Sequence, residues 1–488
     1  MIISRSMLLT FLIYIMIITA IGFIAWKSTK NFEDYILGGR KLGPLVTALA
    51  AGASDMSGWL LMGLPGAVLI SGISESWIAI GLAIGAYLNW KLVAERLLIH
   101  TNKHNNNAIT LPDYFTYRFD DKEQILRLTS ALIILIFFTI YCASGIVAGA
   151  RLFESTFGIN YFISLFLAAS TTIIYTFMGG FLAISWTATI QASLMMFALI
   201  LTPLILIRNN GGILTSIHTI EIKNIAQLNM IHGLSSIAII SLLSWGLGYF
   251  GQPHILARFM AADSPSTIRN ARRIGMIWMI LCLSGAISIG FFAIAFFQKN
   301  PHLSPEVLEN SEIVFIELTR LLFHPWIAGI ILAAILSAVM STLSGQLLVC
   351  ASALTKDIYK SFFRKDASQY EMVWVGRLMV LLVSLISVIL AFNPSNRVLG
   401  LVSYAWAGLG ASFGPVVLLS VRWSRMTRNG ALSGMLIGTA TVVVWKHYSW
   451  LGIYEIIPGF ILASIAILVV SLLDYQRASK KKQRFIKA

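Results

Sequence analysis

Long apolar stretches separated by short polar segments run along the whole chain. Each stretch has roughly the ~20 residues that an α-helix needs to cross a bilayer. The pattern predicts an all-α membrane protein with about thirteen transmembrane helices, numbered here as spans 1 to 13. In chain order the spans cover 7–26, 44–71, 74–98, 125–156, 160–178, 185–207, 234–256, 273–297, 325–354, 372–392, 396–421, 428–446 and 451–473.

The first span could be mistaken for a secretory signal peptide. It is long, contains no A-x-A cleavage site, and runs directly into Lys27 and Lys30, unlike a cleaved leader. We therefore expect the protein to keep this span.

Charged residues are scarce, at 12% of the chain, whereas 57% of the residues are hydrophobic. A soluble domain carries charge at roughly a quarter of its positions, so most of this surface is expected to face lipid. The net charge of +15 would suit nucleic acid, but the basic residues lie in short loops and not in one patch. The sequence therefore predicts membrane lipids as the surroundings and no nucleic-acid partner.

The basic loops alternate between the two sides of the predicted bundle. Cytoplasmic loops of membrane proteins are rich in Lys and Arg, so each loop can be assigned a side. Most of the 36 basic residues fall on one side, in segments 27–41, 91–127, 258–273, 356–377, 422–428 and 477–487. This distribution predicts an outside N-terminus and a cytoplasmic C-terminus, which requires an odd number of spans.

Two spans are interrupted near their middle by Gly, Ser and Pro. Span 2 reads AGASDMSGW over residues 51–59, and span 7 reads SLLSWGLGYFGQP over residues 241–253. Such residues free backbone amides and carbonyls, which a membrane protein tolerates only where they line a cavity. The two interruptions therefore predict a binding site inside the bundle.

The interrupted spans stand five spans apart. Spans 2–6 and 7–11 would then be two units of inverted orientation, with the substrate site between their broken helices. The alternative is that the two helices are kinked independently. The predicted parts are the first helix and loop at 1–43, the repeat units at 44–208 and 209–422, the last two helices at 423–474, and a basic tail at 475–488.

Asp55 is the only carboxylate that the pattern places at mid-depth. An acid there costs at least ~2.5–3.5 kcal/mol unless it faces a cavity, an ion or a partner. Nothing basic lies in the same stretch, so a cation or a proton is predicted as its counter-charge. An alternative, compatible role is that Asp55 caps the half-helix after the break.

Span 9 carries adjacent hydroxyls at Ser341 and Thr342. Sodium prefers hard oxygen ligands, and these hydroxyls could meet carbonyls freed in span 2, as in the sodium sites of broken-helix transporters. Alternatively, each hydroxyl could bond a carbonyl of its own helix.

Four aromatic residues with a polar tip occur in the candidate cavity-lining spans: Trp59, Tyr141, Trp245 and Tyr249. Together they could enclose a compact apolar ring and orient its polar end. Each alone could also be a packing residue or an interface anchor.

Four segments resemble the sodium:solute symporter family, and specifically its bacterial proline importers. They are SDMSGWLLMGLPG at 54–66, IYCASG at 140–145, WGLGYFGQPH at 245–254 and WSRMTRNGA at 423–431. The resemblance implies a LeuT-like fold, with a five-plus-five inverted repeat and flanking helices. It also implies a bacterial inner-membrane location and coupled import of sodium and L-proline, with no organic cofactor and no obligate protein partner.

The resemblance also implies roles for individual residues. Sodium ligation falls on Ala53, Met56, Ala338, Ser341 and Thr342, and proline binding on Ser57, Trp59, Tyr141, Trp245, Tyr249 and Pro253. Asp55 would supply charge beside the sodium, and Arg40 matches a functionally sensitive position. One departure stands out, because the family has an acid where this chain has Ala188, which predicts slower sodium release or another route.

Two other classes of protein remain open at this stage. A passive ion channel would ring equivalent elements around an axis, whereas these elements form one inverted pair. A membrane-embedded enzyme needs a catalytic constellation, and the chain contains no H-E-x-x-H and no G-x-x-x-x-G-K-[ST]. A nearer alternative is a symporter of another small zwitterion, or one coupled to protons.

Overall fold

The computed structural model describes residues 5–28, 31–102, 107–231 and 233–487. Within these ranges, the side chains of residues 26, 28, 178, 179 and 477–487 are not described, so most side chains of the predicted basic tail lie outside the description. In the described part of the chain the regular structure is helical, apart from one isolated parallel bridge between Leu42 and Ala262. The all-α prediction is confirmed.

Every predicted span is helical in the structure. Spans 1 to 6 correspond to Arg5–Ser28, Pro44–Asp55 with Leu64–Ser71, Ser76–Asn89 with Glu95–Thr101, Ile125–Phe157, and Tyr161–Asn209 for spans 5 and 6 together. Spans 7 to 13 correspond to Ser236–Leu243 with Pro253–Met260, Pro265–Lys299, Pro325–Ser352, Gln369–Leu390, Val398–Ser420, Arg428–Tyr448 and Ile456–Lys487. Spans 5 and 6 meet at a kink where Gly180 has a φ of 56°.

Nine helical stretches among the described residues are long and apolar enough to cross a bilayer. Tyr161–Phe177 and Ser236–Gly251 are shorter apolar helices. Short helices outside the spans are Phe32–Leu37, Leu111–Arg118, Ile213–Asn224, Pro305–Glu309 and Val314–Leu322. Below, the face rich in Lys and Arg is called the inner face, and the opposite face the outer face.

Span 9 continues beyond its predicted end at residue 354. Wide helical turns extend it through Ala353–Phe363, which includes Lys356 and Asp357. The hydropathy pattern predicts that the span ends before these two charged residues, but in the structure both form ion pairs inside the protein. Lys356 lies 2.5 Å from Asp113, and Arg127 lies 3.7 Å from Asp357.

The packing of the spans has the symmetry expected of an inverted repeat. Span 2 packs on span 8, and span 7 packs on span 3. The helix pair of spans 5 and 6 packs on spans 2 and 9. In the same way, spans 10 and 11 pack on span 4, and span 11 also packs on span 7. Exchanging span 2 with 7, 3 with 8, 4 with 9, 5 with 10 and 6 with 11 maps each of these pairings onto another. The exact boundaries of the five predicted parts remain a prediction.

Glycines let spans 3 and 7 approach closely. A Cβ on Gly81 would meet the carbonyl of Leu243, and a Cβ on Gly85 would meet the carbonyl of Gly246. Here the backbones are in direct contact, as small residues allow in membrane bundles. This contact holds the break of span 7 against span 3.

Replacing Gly85 by Ala is expected to destabilise the protein by about 1–3 kcal/mol, the usual cost of overpacking. The matched control is Gly400→Ala, because Gly400 is also helical and an added Cβ there meets no atom within 4 Å. Thermal unfolding of the purified variants in detergent gives the comparison. Equal unfolding temperatures for Gly85→Ala and wild type would contradict the contact.

Candidate functional site

The helix of span 2 stops in mid-membrane and starts again after a break. Its first half, Pro44–Asp55, ends where the N–H of Met56 bonds the carbonyl of Gly52. Beyond the break, the N–H of Trp59 bonds the hydroxyl of Ser57 at 3.4 Å. The Ser57 hydroxyl therefore bonds the first turn of the second half, whereas no N–H among the described residues bonds the Asp55 carboxylate. The alternative that Asp55 caps the second half is wrong.

The hydroxyl pair of span 9 meets a carbonyl at the end of this first half. Ser341 and Thr342 donate to the carbonyl oxygen of Ala53 at 2.7 and 3.2 Å. The Ser341 hydroxyl also lies 3.1 Å from the carbonyl of Ala338. Hard, neutral oxygens from two spans thus converge at one buried point, so the hydroxyls do not bond only within their own helix.

Four of the five predicted sodium ligands are therefore brought together. The fifth, Met56, is buried at the break in the same half-helix. No hydrogen bond among the described residues joins it to the hydroxyl pair.

The carboxylate of Asp55 connects the two broken helices. Its Oδ2 accepts a hydrogen bond from the hydroxyl of Tyr249 in span 7. Its Oδ1 is buried and has no hydrogen-bond partner among the described residues. The side chain is only 2% exposed, so one carboxylate oxygen remains available for a cation.

The break in span 7 is held by side chains from its neighbours. Asn89 of span 3 donates to the carbonyl of Tyr249 at 2.9 Å. Trp406 of span 11 donates to the carbonyl of Trp245 at 2.8 Å. The turns of Ser244–Gly251 are of the tighter 3-10 type, and these two donors satisfy carbonyls freed there.

The aromatic residues predicted to bind the solute lie close to one another. The rings of Trp59 and Trp245 are 6.3 Å apart, with their planes tilted by 37°. Two further aromatic residues belong to this cluster: Tyr454 stacks on Trp245 at 5.4 Å, and Trp406 meets Tyr249 edge-on at 5.2 Å. Sequence reasoning missed both, because neither residue lies in one of the two interrupted segments from which the candidate cavity was predicted.

Tyr141 lies beside the same cluster, whereas Pro253 lines a separate cavity. The electrostatic neighbours of the Tyr141 hydroxyl are Asp55, Ser57 and Trp59. Pro253 starts the second half of span 7 and lines a cavity on the inner side of the break.

An opening at the outer face leads to this cluster. It reaches Trp245, and its other lining residues include Gly63, Ala67, Glu312, Leu399 and Ser403. Glu312 fixes the start of span 11, since its carboxylate accepts from the N–H groups of Val398 and Leu399 at 2.9 and 3.0 Å. Burial raises the pKa of Glu312.

The inner face is closed by a latch between the inner ends of the two broken helices. Leu42 donates to the carbonyl of Ala261 and accepts from the N–H of Asp263, both at 3.3 Å. Arg40 reinforces this latch by donating to the carbonyls of Met260 at 3.1 Å and Ala108 at 2.6 Å. None of the hydrogen-bond partners of Arg40 in the described part of the chain belongs to the candidate binding residues.

Burial lowers the pKa of Arg40, and the nearby carboxylate of Glu33 opposes that shift. The two side chains form an ion pair at 3.6 Å. This pairing favours the charged guanidinium that the latch uses.

Ala188 is fully buried in span 6. One turn earlier, the hydroxyl of Ser185 accepts a hydrogen bond from Arg258 of span 7 at 2.7 Å. The departure at position 188 therefore lies one helical turn from a hydroxyl that binds a buried arginine.

Sequence comparison finds close relatives that match the whole chain. The sodium/proline symporters of Escherichia coli K12 and Salmonella typhimurium are 68% and 67% identical over 488 residues, covering 100% of this chain and 97% of each relative. The high-affinity proline transporter PutP of Bacillus subtilis is 50% identical over 454 residues, covering 93% of this chain and 95% of its own length.

Solved structures show the same fold at low sequence identity. A Na+-coupled sialic acid symporter in a substrate-bound, outward-open state superposes with a TM-score of 0.82 at 19% identity, covering 97% of this chain and 98% of its own. The nucleobase-cation symporter Mhp1 in a closed conformation gives a TM-score of 0.59 at 13% identity, covering 92% and 95%. The LeuT-like architecture predicted from the sequence is confirmed.

The comparison with protein families agrees with the sequence relatives and with the solved structures. The sequence profile described as the sodium:solute symporter family matches residues 35–438. With this match and relatives of such identity over their full length, the chain belongs to the sodium:solute symporter family.

Proposed function

We propose that this chain imports L-proline together with sodium by alternating access. The names of its relatives support the solute and the ion. The observation that carries the proposal is the meeting of the Ala53 carbonyl with the hydroxyls of Ser341 and Thr342, beside the half-paired carboxylate of Asp55. Membership of a family of symporters excludes the passive channel and the membrane-embedded enzyme.

Sodium would bind where the oxygens of spans 2 and 9 converge. The hydroxyls of Ser341 and Thr342 would turn their lone pairs to the ion, and the carbonyls of Ala53, Ala338 and Met56 would supply further ligands. No cluster of three His, Cys, Asp or Glu occurs among the described residues, which fits a hard, weakly held cation better than a transition metal. The charge of the ion would offset Asp55 from a neighbouring position.

Sodium binding would prepare the site for proline. An ion between spans 2 and 9 would fix the end of the first half-helix and thereby the position of Ser57 and Trp59. The N-terminal ends of the second half-helices then offer N–H groups for the carboxylate of proline. Trp59, Tyr141, Trp245 and Tyr249 would cover the pyrrolidine ring.

Transport would follow when the outer opening closes and the inner face opens. In the present structure the outer opening reaches Trp245, and the latch around Leu42 closes the inner face. Release of sodium and proline inward requires that latch to open. Each sodium charge that crosses the membrane contributes ~2.3 kcal/mol per 100 mV of potential.

The protein is a multi-pass membrane protein, and we place it in the bacterial inner membrane. The basic loops support a cytoplasmic inner face, hence an outside N-terminus and a cytoplasmic C-terminus. A symporter of another small zwitterion, or one driven by protons, is the remaining alternative. Competition by other solutes and replacement of sodium in uptake assays distinguish these possibilities.

Removing the hydroxyls of span 9 should weaken sodium binding without destroying the fold. In proteoliposomes, Ser341→Ala and Thr342→Val are each expected to raise the half-saturating sodium concentration by about tenfold or more, equivalent to about 1.4 kcal/mol. Ser337→Ala is the matched control, since its hydroxyl bonds the Ala333 carbonyl of its own helix at 2.8 Å. Equal sodium dependence in all three variants would contradict the ligand assignment.

Neutralising Asp55 should remove the charge that attracts the cation. Asp55→Asn is expected to abolish sodium-dependent proline uptake at ordinary sodium concentrations, whereas Asp366→Asn in an exposed inner loop should leave it unchanged. Radiolabelled proline uptake with and without a sodium gradient gives the measurement. The role of Asp55 is refuted if Asp55→Asn keeps the wild-type affinity for sodium.

Truncating Trp245 should affect proline binding itself. Trp245→Ala is expected to raise the half-saturating proline concentration by about tenfold, as for other aromatic anchors worth ~1–2 kcal/mol. Trp326→Ala is the control, because Trp326 is 45% exposed at the end of span 9. A lower maximal rate for every solute with unchanged proline affinity would remove Trp245 from the proline site.

A further inference from the structure

A small cavity lies between the candidate binding sites and the inner latch. Its polar and charged lining consists of Thr110, His254, Arg258, Ser352 and Asp357. It also touches Gly345, one turn beyond the hydroxyl pair of span 9. Its free volume of about 30 Å³ holds only one or two water molecules, so a larger ligand can enter only when the inner face opens.

Arg258 is a buried cation without a carboxylate partner among the described residues. It is 1% exposed, donates to Ser185 at 2.7 Å, and lies 4.2 Å from the ring centre of Phe181. Its Nε is buried without a hydrogen-bond partner. Burying an unpaired charge is strongly unfavourable, so an anionic ligand is expected in some step of the cycle.

Two other buried arginines in this protein have acidic partners. Arg40 lies 3.6 Å from Glu33, and Arg127 lies 2.8 Å from Asp113. The unpaired state of Arg258 is therefore not a general property of arginines in this fold.

His254 extends the unpaired polar surface toward the candidate proline site. It is 2% exposed, and neither ring nitrogen makes a well-formed hydrogen bond among the described residues, although the backbone of Ser54 lies close to the ring. Its ring lies 6.1 Å from that of Tyr141, which neighbours Asp55 and Ser57, and Arg258 is its charged neighbour on the other side. A path of polar groups thus leads inward from the solute site to Arg258.

The one carboxylate in the cavity lining does not neutralise Arg258. Asp357 accepts from Thr110 at 3.0 Å and lies 3.7 Å from Arg127. Asp113 and Asp357 are balanced by Arg127 and Lys356, all within the same ion-pair cluster. Arg258 therefore leaves a surplus positive charge, which favours an anion in the cavity over a cation.

We infer that Arg258 and His254 form a transit site for the carboxylate of the transported amino acid on its way to the inner face. The guanidinium group matches a carboxylate in geometry and charge, and a ring nitrogen of His254 supplies one further hydrogen bond. The inference rests on the proposed function, because it takes proline as the solute. The site is used only when the latch around Leu42 is open.

The test compares proline affinity at the two faces of full-length protein in oriented proteoliposomes. Arg258→Gln is expected to raise the half-saturating proline concentration at the inner face by about tenfold and to change it at the outer face by less than about twofold. Arg258→Lys should restore much of the inner-face affinity, since it keeps the charge. Arg208→Gln, on the exposed outer end of span 6, is the control and should match wild type at both faces.

Two further measurements identify the ligand and guard against misfolding. Prolinamide, which lacks the carboxylate, should compete at the inner face equally weakly in wild type and Arg258→Gln. If Arg258→Gln does not fold, His254→Gln replaces it, with an expected inner-face effect of about threefold for one lost hydrogen bond.

The possible contrary results of these experiments lead to different conclusions about the transit site and the proposed function. An equal loss of affinity at both faces, or no loss at either, refutes the transit site and leaves the proposed function intact. A requirement for inner chloride that disappears in Arg258→Gln would identify a free anion as the ligand and would also refute it. Absence of sodium-dependent proline uptake by the wild type refutes the proposed function itself.

Discussion

Backbone groups cannot be left unbonded inside a bilayer, and the two broken helices leave such groups at the centre of this protein. Side chains from neighbouring spans satisfy them: Ser341 and Thr342 bond the carbonyl of Ala53, Asn89 that of Tyr249, and Trp406 that of Trp245. Each break is thus a set of polar atoms held in place by other helices. A ligand can replace one of these donors with its own charge, which makes the same atoms both structural supports and candidate binding groups.

The repeat explains why these supports come from particular helices. Span 2 meets span 8 as span 7 meets span 3, so each broken helix rests on a helix of the other unit. The glycines of span 3 bring its backbone against the break of span 7. Asp55 and Tyr249 then join the two breaks directly. A movement of one unit against the other must therefore alter both breaks together, which suits a cycle that couples ion and solute.

Sequence alone could locate the breaks, Asp55 and the pair Ser341/Thr342, because each violates the apolar pattern of a membrane helix. It could not locate Trp406 and Tyr454, since an aromatic residue in an unbroken span looks like packing until its neighbours are known. It also ended span 9 before Asp357, because hydropathy counts a charge without knowing its partner. Whether a charge is paired depends on tertiary contacts, and this also hid the contrast between Arg258 and Arg127.

The inner latch has a consequence for how related chains can diverge. Its two hydrogen bonds join backbone atoms of Leu42 to those of Ala261 and Asp263, so substitutions of these side chains leave the bonding groups in place. Arg40, in contrast, contributes through its side chain. Substitutions in the surrounding loops can therefore preserve the closure. Substitutions at Arg40, in contrast, change the stability of the closed state. Turnover rate and binding specificity can in this way evolve separately.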